Sequence, residues 1–445
     1  MLRLKSFQMK WVLLVVGILL ITALGVSAQG NAKVAFVNTS GQLIVSSADG
    51  SYRWIVTNPG EALVRTLGFT WAPDGNKIFF AVNTGYEVSL RVGDVNSQQH
   101  IEIGRATDNG ALSGGSWLPN SSAVIIGLGD RILYVDANGG GAAELISGQG
   151  SVAIISPYLN NRPNLSSGSS MSNDGRSLFY QQGDGRYAVA ALDGSLALPL
   201  PGLNDTTAPL NALWAQNSPF VAFWGFEGNS VLSVTNTQNG MTVTLDSGRS
   251  APITPLTWVM NTTLVYRDHN GLISAVNLAC LASSCDANIL ATGVEIIPAT
   301  ATDVLSHNDV ILYRDGTQIN AIQSACIASA NCLNSAIVVG TNSAPNTLID
   351  VGGNSLLYTG YTSDPNNPSD RDVRWVDLSC VNGGSCASSV ILTGALSGLV
   401  SPRGDAAIVE QAGTGLSVLT FSTGALTYLS DYSGGQLLAS ARWAE

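Results

Sequence analysis

The chain has 445 residues, 45% of them apolar and 11% charged, less than half the roughly 25% charged share of ordinary globular chains. There is enough apolar material for a core, so global disorder is excluded. Lys and Arg number 20 against 31 Asp and Glu, a net charge of −11. An acidic surface disfavours nucleic acid, whose phosphates need a basic one.

The N-terminus reads as an address. Residues 1–10 carry Arg3, Lys5 and Lys10 and no acid. Trp11 to Val26 is apolar apart from small Gly and Thr, and the small-residue pattern Val26-Ser27-Ala28 follows. These three parts make a secretory signal, residues 1–28, cleaved after Ala28. The apolar run of 16 residues falls short of the roughly 20 of a comfortable membrane span. An uncleaved N-terminal anchor is the rival expectation. Cleavage removes the three basic residues and leaves 17 basic against 31 acidic, a net charge of −14. The mature chain, 29–445, is expected to be exported, extracytoplasmic and acidic, touching membrane only if the N-terminal segment is kept.

Past that segment one unit recurs: an apolar or aromatic residue, a tight turn, then an alternating apolar strand. Its clearest copy is Phe69-Thr70-Trp71-Ala72-Pro73-Asp74-Gly75-Asn76-Lys77-Ile78-Phe79-Phe80. Others centre on Trp117, Met171, Trp214, Trp258, Leu305, Val351, Val400 and Trp443, at spacings of 43 to 54 residues. That period is the one of four-stranded propeller blades. Asp74-Gly75, Asn138-Gly139, Asp193-Gly194, Asn270-Gly271 and Asp315-Gly316 punctuate β-branched and aromatic runs, the hairpin signal. The repeated Trp is expected on each inner strand, packed between neighbouring sheets. Residues 33–57 supply three strands with no Trp-bearing strand before them, and Ala441-Arg442-Trp443-Ala444 supplies an inner strand with nothing after it. Joined, they make one blade and hide two open sheet edges. The expected fold is therefore all-β: a single propeller of eight or nine four-stranded blades, closed by pairing the C-terminal strand with the N-terminal ones.

Trp71-Ala72-Pro73-Asp74-Gly75-Asn76-Lys77-Ile78-Phe79-Phe80 resembles the repeat of the TolB-like, WD40-like ("PD40") propellers. Ser172-Asn173-Asp174-Gly175-Arg176-Ser177-Leu178-Phe179-Tyr180 and Ser401-Pro402-Arg403-Gly404-Asp405-Ala406-Ala407-Ile408-Val409 are weaker copies. The resemblance covers the mature chain by period and these units by motif. It implies an extracytoplasmic binding or scaffold propeller, or the propeller half of a prolyl oligopeptidase-type peptidase. It transfers no functional residue, because the Asp and Gly of the motif make a turn.

Six cysteines fall at matched places in three consecutive units: Cys280 and Cys285, Cys326 and Cys332, Cys380 and Cys386. Each pair is expected to close the loop between the two outer strands of its blade. Each second Cys is read as followed by a strand ending near Gly293, Gly340 or Gly394. Export favours oxidation, so three local disulfides are expected. Zinc is disfavoured by the spacing and by the scattered His100, His269 and His307.

No Gly-x-Ser-x-Gly elbow, phosphate-binding loop or His-Glu-x-x-His occurs, and nothing suggests a catalytic residue or cofactor. Loops on a rigid scaffold are where binding concentrates, and two irregular segments stand out. Residues 156–165 carry Tyr158 and Arg162; residues 361–372 carry Asp364, Asp370 and Asp372. The three Asp offer hard oxygen ligands for Ca²⁺, but their spacing is not that of an EF-hand loop, so the segment is read as a solvated loop with no metal. The function expected is a non-enzymatic module binding a protein, peptide or glycan. The alternatives are an extracytoplasmic hydrolase or lyase with carboxylates in the central funnel, and an envelope protein held by an uncleaved N-terminal helix.

Overall fold

The computed structural model describes residues 32–444 with interruptions, the longest of which are 155–170, 200–210 and 431–440. The expected signal, residues 1–28, lies outside the described residues. The strands form eight four-stranded antiparallel blades and one five-stranded sheet, following one another around a ring. In chain order these are the closing sheet (33–55 with 441–443), then 62–106, 112–147, 153–199, 211–248, 254–297, 302–340, 349–393 and 395–430, called here the second to ninth sheets. The second sheet has five strands because its inner strand is broken in two: Ala62–Leu63 and Phe69–Trp71 both pair with Lys77–Asn83. The ring closes as the sequence predicts. Val34 pairs with Trp443, Ala35 with Arg442 and Phe36 with Ala441.

Each sheet is covered on both faces by its neighbours, and the burial follows. In the second strand of the second sheet, Ile78, Phe79, Phe80, Ala81 and Val82 are all 3% exposed or less. Such strands read as continuous apolar runs rather than as an alternation. The inner strands carry the tryptophans. Trp71, Trp117, Trp214, Trp258 and Trp443 are all 9% exposed or less, and burying each stabilises the fold by at least about 1.5–3 kcal/mol. A buried indole N–H also needs an acceptor. Here it takes a backbone carbonyl from the inner strand of the preceding sheet around the ring: Trp71 that of Arg442, Trp117 that of Thr70, Trp258 that of Leu213 and Trp443 that of Leu399. In the seventh sheet the register places Ser306, not Leu305, opposite Ile311, as Trp258 stands opposite Leu264. Ser306 Oγ donates to the Trp258 carbonyl at 2.8 Å.

The outer strands hold a feature the alternation did not predict. In seven sheets the pairing of the third and fourth strands slips by one residue. The extra residues are Ile103, Leu145, Leu245, Ile296, Val339, Ile391 and Leu429. A bulge re-aims a side chain and tightens the local twist; here the re-aimed residue is always apolar. Leu245, Ile296, Val339 and Leu429 are 2% exposed or less, while Ile103, Leu145 and Ile391 pack against the cores.

The disulfides form as expected, Cys280–Cys285, Cys326–Cys332 and Cys380–Cys386, between the third and fourth strands of the sixth, seventh and eighth sheets. One detail differs: the strand after Cys285 is Val294–Ile297 and follows Gly293 rather than ending there. A single helical turn precedes or spans each first cysteine (Ala279–Ala282, Cys326–Ser329, Leu378–Gly383). It turns the next residue, Leu281, Ile327 or Val381, onto the preceding sheet. Leu281 packs with Phe220, Leu232 and Val234, and Val381 packs with Leu312, Ala321 and Val339. Asn236 and Asn239 of the fifth sheet both donate to the Leu281 carbonyl.

Candidate functional site

In five sheets the turn after the inner strand repeats one hydrogen bond. The residue after the tryptophan position donates its N–H to the carbonyl of the residue that opens the second strand. The pairs are Ala72 to Lys77, Leu118 to Ala123, Ser172 to Ser177, Ala215 to Phe220 and Ser401 to Ala406. Four residues bulge out between the partners. Glycine serves in three of these turns because the backbone there is left-handed: Gly75, Gly175 and Gly404 have φ of +64°, +67° and +77°.

The closing sheet makes the same bond, Ala444 N–H to the Lys33 carbonyl at 2.9 Å. Beside it, among the described residues, lies a cleft of about 480 Å³. Its walls are the turn 74–76 on one side and the turn 401–405 on the other, with Asn96 at the rim and Trp443 and Ala444 below. Lys33 crosses it, its Nζ donating to the Gly75 carbonyl and to Asn76 Oδ1, both at 3.2 Å. Asp74 Oδ1 accepts from the Asn76 N–H at 2.9 Å, and Asp405 Oδ1 accepts from Ser401 Oγ at 2.7 Å. Asp74, Asn96 and Arg403 are exposed. The cleft thus holds two cations, two carboxylates and two amides.

Elsewhere the buried charges are joined in architectural contacts. Arg91 grips Glu61, in the segment leading from the closing sheet to the second, with two bonds of 2.7 and 2.8 Å. That contact holds the Glu61 carboxyl down to about 2. Arg374 stands opposite Tyr358 as Arg91 stands opposite Phe80. It binds Asp372 through two bonds of 2.7 and 3.0 Å and donates to the Thr341 carbonyl. A second set sits at the end of second strands. Arg267 donates to the Ala299 and Ala301 carbonyls. Arg314 donates to the Ala344 carbonyl and pairs with Asp303 at 3.0 Å. Both arginines hold the segment that leads into the next sheet. The recurrent Tyr266-Arg267 and Tyr313-Arg314 are the sequence signal for these clamps. His100 lies 3.3 Å from Arg91; burial and the Arg91 charge lower its pKa. Asp350, on the inner strand of the eighth sheet and 2% exposed, accepts the Val400 N–H of the ninth at 2.7 Å. Burial pushes its carboxyl up to about 7.

The candidate loop residues have different fates. Tyr158 and Arg162 lie outside the described residues. Residues 362–370 form the link between Ser355–Tyr361 and Arg371–Asp377. Asp370 is exposed only in part, and its Oδ2 accepts from the Ser363 and Asp364 N–H groups and from Ser363 Oγ. Those bonds lower its pKa. Asp364 Oδ1 accepts from the Asn366 N–H. Asp372 is not in the loop but in the third strand, 2% exposed and bound to Arg374. Among the described residues, no three His, Cys, Asp or Glu side chains are placed to hold a metal ion, and no helix is long and apolar enough to cross a membrane.

No family model and no curated protein matches the sequence. Among solved structures, that of a eukaryotic initiation factor is similar along the chain, with a TM-score of 0.58 at 9% identity, covering 93% of this chain and 98% of that one. TolB from Acinetobacter baumannii is 14% identical, with a TM-score of 0.32 over 57% of this chain and 63% of that one. Dipeptidyl peptidase 4 from Porphyromonas gingivalis is 9% identical, with a TM-score of 0.48 over 92% of this chain and 61% of that one. The chain thus spans less than two thirds of TolB and of the peptidase. At such identities a likeness shows fold alone. By its ring of antiparallel blades the chain is a β-propeller.

Proposed function

We propose that the protein is an exported, non-enzymatic binding module that takes its ligand on the face carrying the inner-strand turns. The cleft over the closing sheet carries this reading. It is concave, of ligand size, and held by two neighbouring turns and by Lys33. The export part is supported by the three disulfides, which persist in oxidising compartments, and by the signal-like pattern of residues 1–28. The rival reading, a hydrolase or lyase with carboxylates in the funnel, needs acids that a substrate can reach. Asp350, the inner-strand acid whose pKa is raised, is buried against the Val400 N–H.

The test is to offer the purified protein an array of peptides and glycans and to recover whatever is retained. A binding module retains a ligand saturably and returns it intact. A ligand returned cleaved or eliminated would overturn the reading in favour of the enzyme.

A further inference from the structure

The chemistry of the cleft narrows the ligand, if the binding-module reading is taken as its basis. Lys33 and Arg403 stand against Asp74 and Asp405, so the site has no net charge to select an anion or a cation. The mature chain, at −14, further disfavours anions. The apolar lining is small, Ala32, Pro402 and Ala444 around a Trp443 that is 9% exposed with its N–H bound to the Leu399 carbonyl, so the polar groups set the selectivity. No strand edge runs along the walls, which are turns, so a peptide cannot add as a strand. What remains is a dense alternation of donors and acceptors. Lys33, Arg403 and the Asn76 amide donate. The carboxylates of Asp74 and Asp405 and the Asn96 carbonyl accept. A hydroxyl gives one proton and accepts through two lone pairs, so closely spaced hydroxyls can serve both sets at once. Planar Asn, Asp and Arg groups suit such hydroxyls, because two adjacent ones can be met by one side chain.

We propose that this cleft binds a neutral oligosaccharide, whose ring hydroxyls bridge the donors Lys33, Asn76 and Arg403 to the acceptors Asp74, Asn96 and Asp405. The volume of about 480 Å³ lies within the roughly 300–1,000 Å³ of small-molecule pockets.

Isothermal titration would test this, using neutral mono- to tetrasaccharides of glucose, galactose, mannose and N-acetylglucosamine. The variants are Arg403→Ala and Asn96→Ala, both at exposed positions, with circular dichroism checking that the fold is kept. One sugar series should bind the parent protein. Arg403→Ala should weaken it about tenfold and Asn96→Ala somewhat less, as expected for the loss of a charged and a neutral hydrogen bond. Binding unchanged in both variants overturns the cleft as the site. No binding by any of the four series overturns the saccharide assignment, while retention of a peptide from the array would leave the module reading standing. A sugar returned cleaved brings down the module reading itself.

Discussion

The sixth to eighth sheets and the closing sheet meet the same problem, the seam between neighbours, by different chemistry. In the sixth to eighth, a short disulfide loop turns Leu281, Ile327 or Val381 onto the sheet before it. Each staple is local, joining cysteines five or six residues apart. The closing sheet has no covalent help. It brings residues 34 and 443 together through three paired residues, and it is fixed by two indoles, Trp443 on the Leu399 carbonyl and Trp71 on the Arg442 carbonyl. Local staples restrict one loop each, whereas the closing pair orders the whole ring. A defect should therefore be tolerated in the first and felt everywhere in the second.

The sharpest way to break this contrast is Trp443→Ala. It deletes a buried side chain at the closure and one of the two indole bonds, and should cost about 3–5 kcal/mol. Urea unfolding followed by tryptophan fluorescence would measure it. A loss as small as that of a surface substitution would contradict the central role given to the closure. The double variant Cys380→Ser with Cys386→Ser comes next. A loop of this length contributes about 2 kcal/mol in the chain-entropy model. Hydrogen exchange should rise at Val381 and along residues 318–340 on the facing sheet, and not at residues 33–37. Exchange that rises around the whole ring would erase the distinction.

Asp350→Asn sharpens the comparison with the smallest effect and a sign of its own. Asp350 binds the seam between the eighth and ninth sheets, next to the closure. Its folded-state pKa of about 7 lies above the reference value of 3.8. Between those values the folded protein holds a proton that the unfolded chain releases, so stability falls as pH rises through that window. Arg442 is the charge that opposes the shift. The amide can still accept the Val400 N–H but carries no charge. The variant should match the parent near pH 4 and melt a few degrees higher at pH 8, at about 1 °C for each kcal/mol in a chain of this length. Parallel melting curves across pH 4–8 would remove the titration from the account.

Much of this was legible in the residues. Trp71, Trp117, Trp214, Trp258 and Trp443 mark inner strands because a large indole fits where sheets converge. The cysteine pairs share a place in the repeat, and that was enough to pair them. The outer-strand bulges were not legible, since Leu245 or Val339 reads as one more apolar residue in a short run and only the register shows that it is the extra one. The Arg91 clamp holds Glu61, 30 positions away, and leaves no local pattern. The 361–372 segment drew attention for its three Asp, yet Asp370 folds the loop and Asp372 pairs with Arg374. The cleft escaped for a different reason. It is lined by segments from three distant parts of the chain, near residues 33, 75 and 403, and only the ring closure brings them together.

The closing pair also has a mechanical side. Its two strands run antiparallel, so that Lys33 and Ala444 lie side by side at one edge of the pair. A pull applied between the two ends loads the bonds one at a time, like a zipper, and not all together in shear. Ala444–Lys33 gives first and Trp443–Val34 next. A pull on the first strand against the body of the ring instead loads its pairs with Leu43–Ser47 and with Ala441–Trp443 together, along the strand.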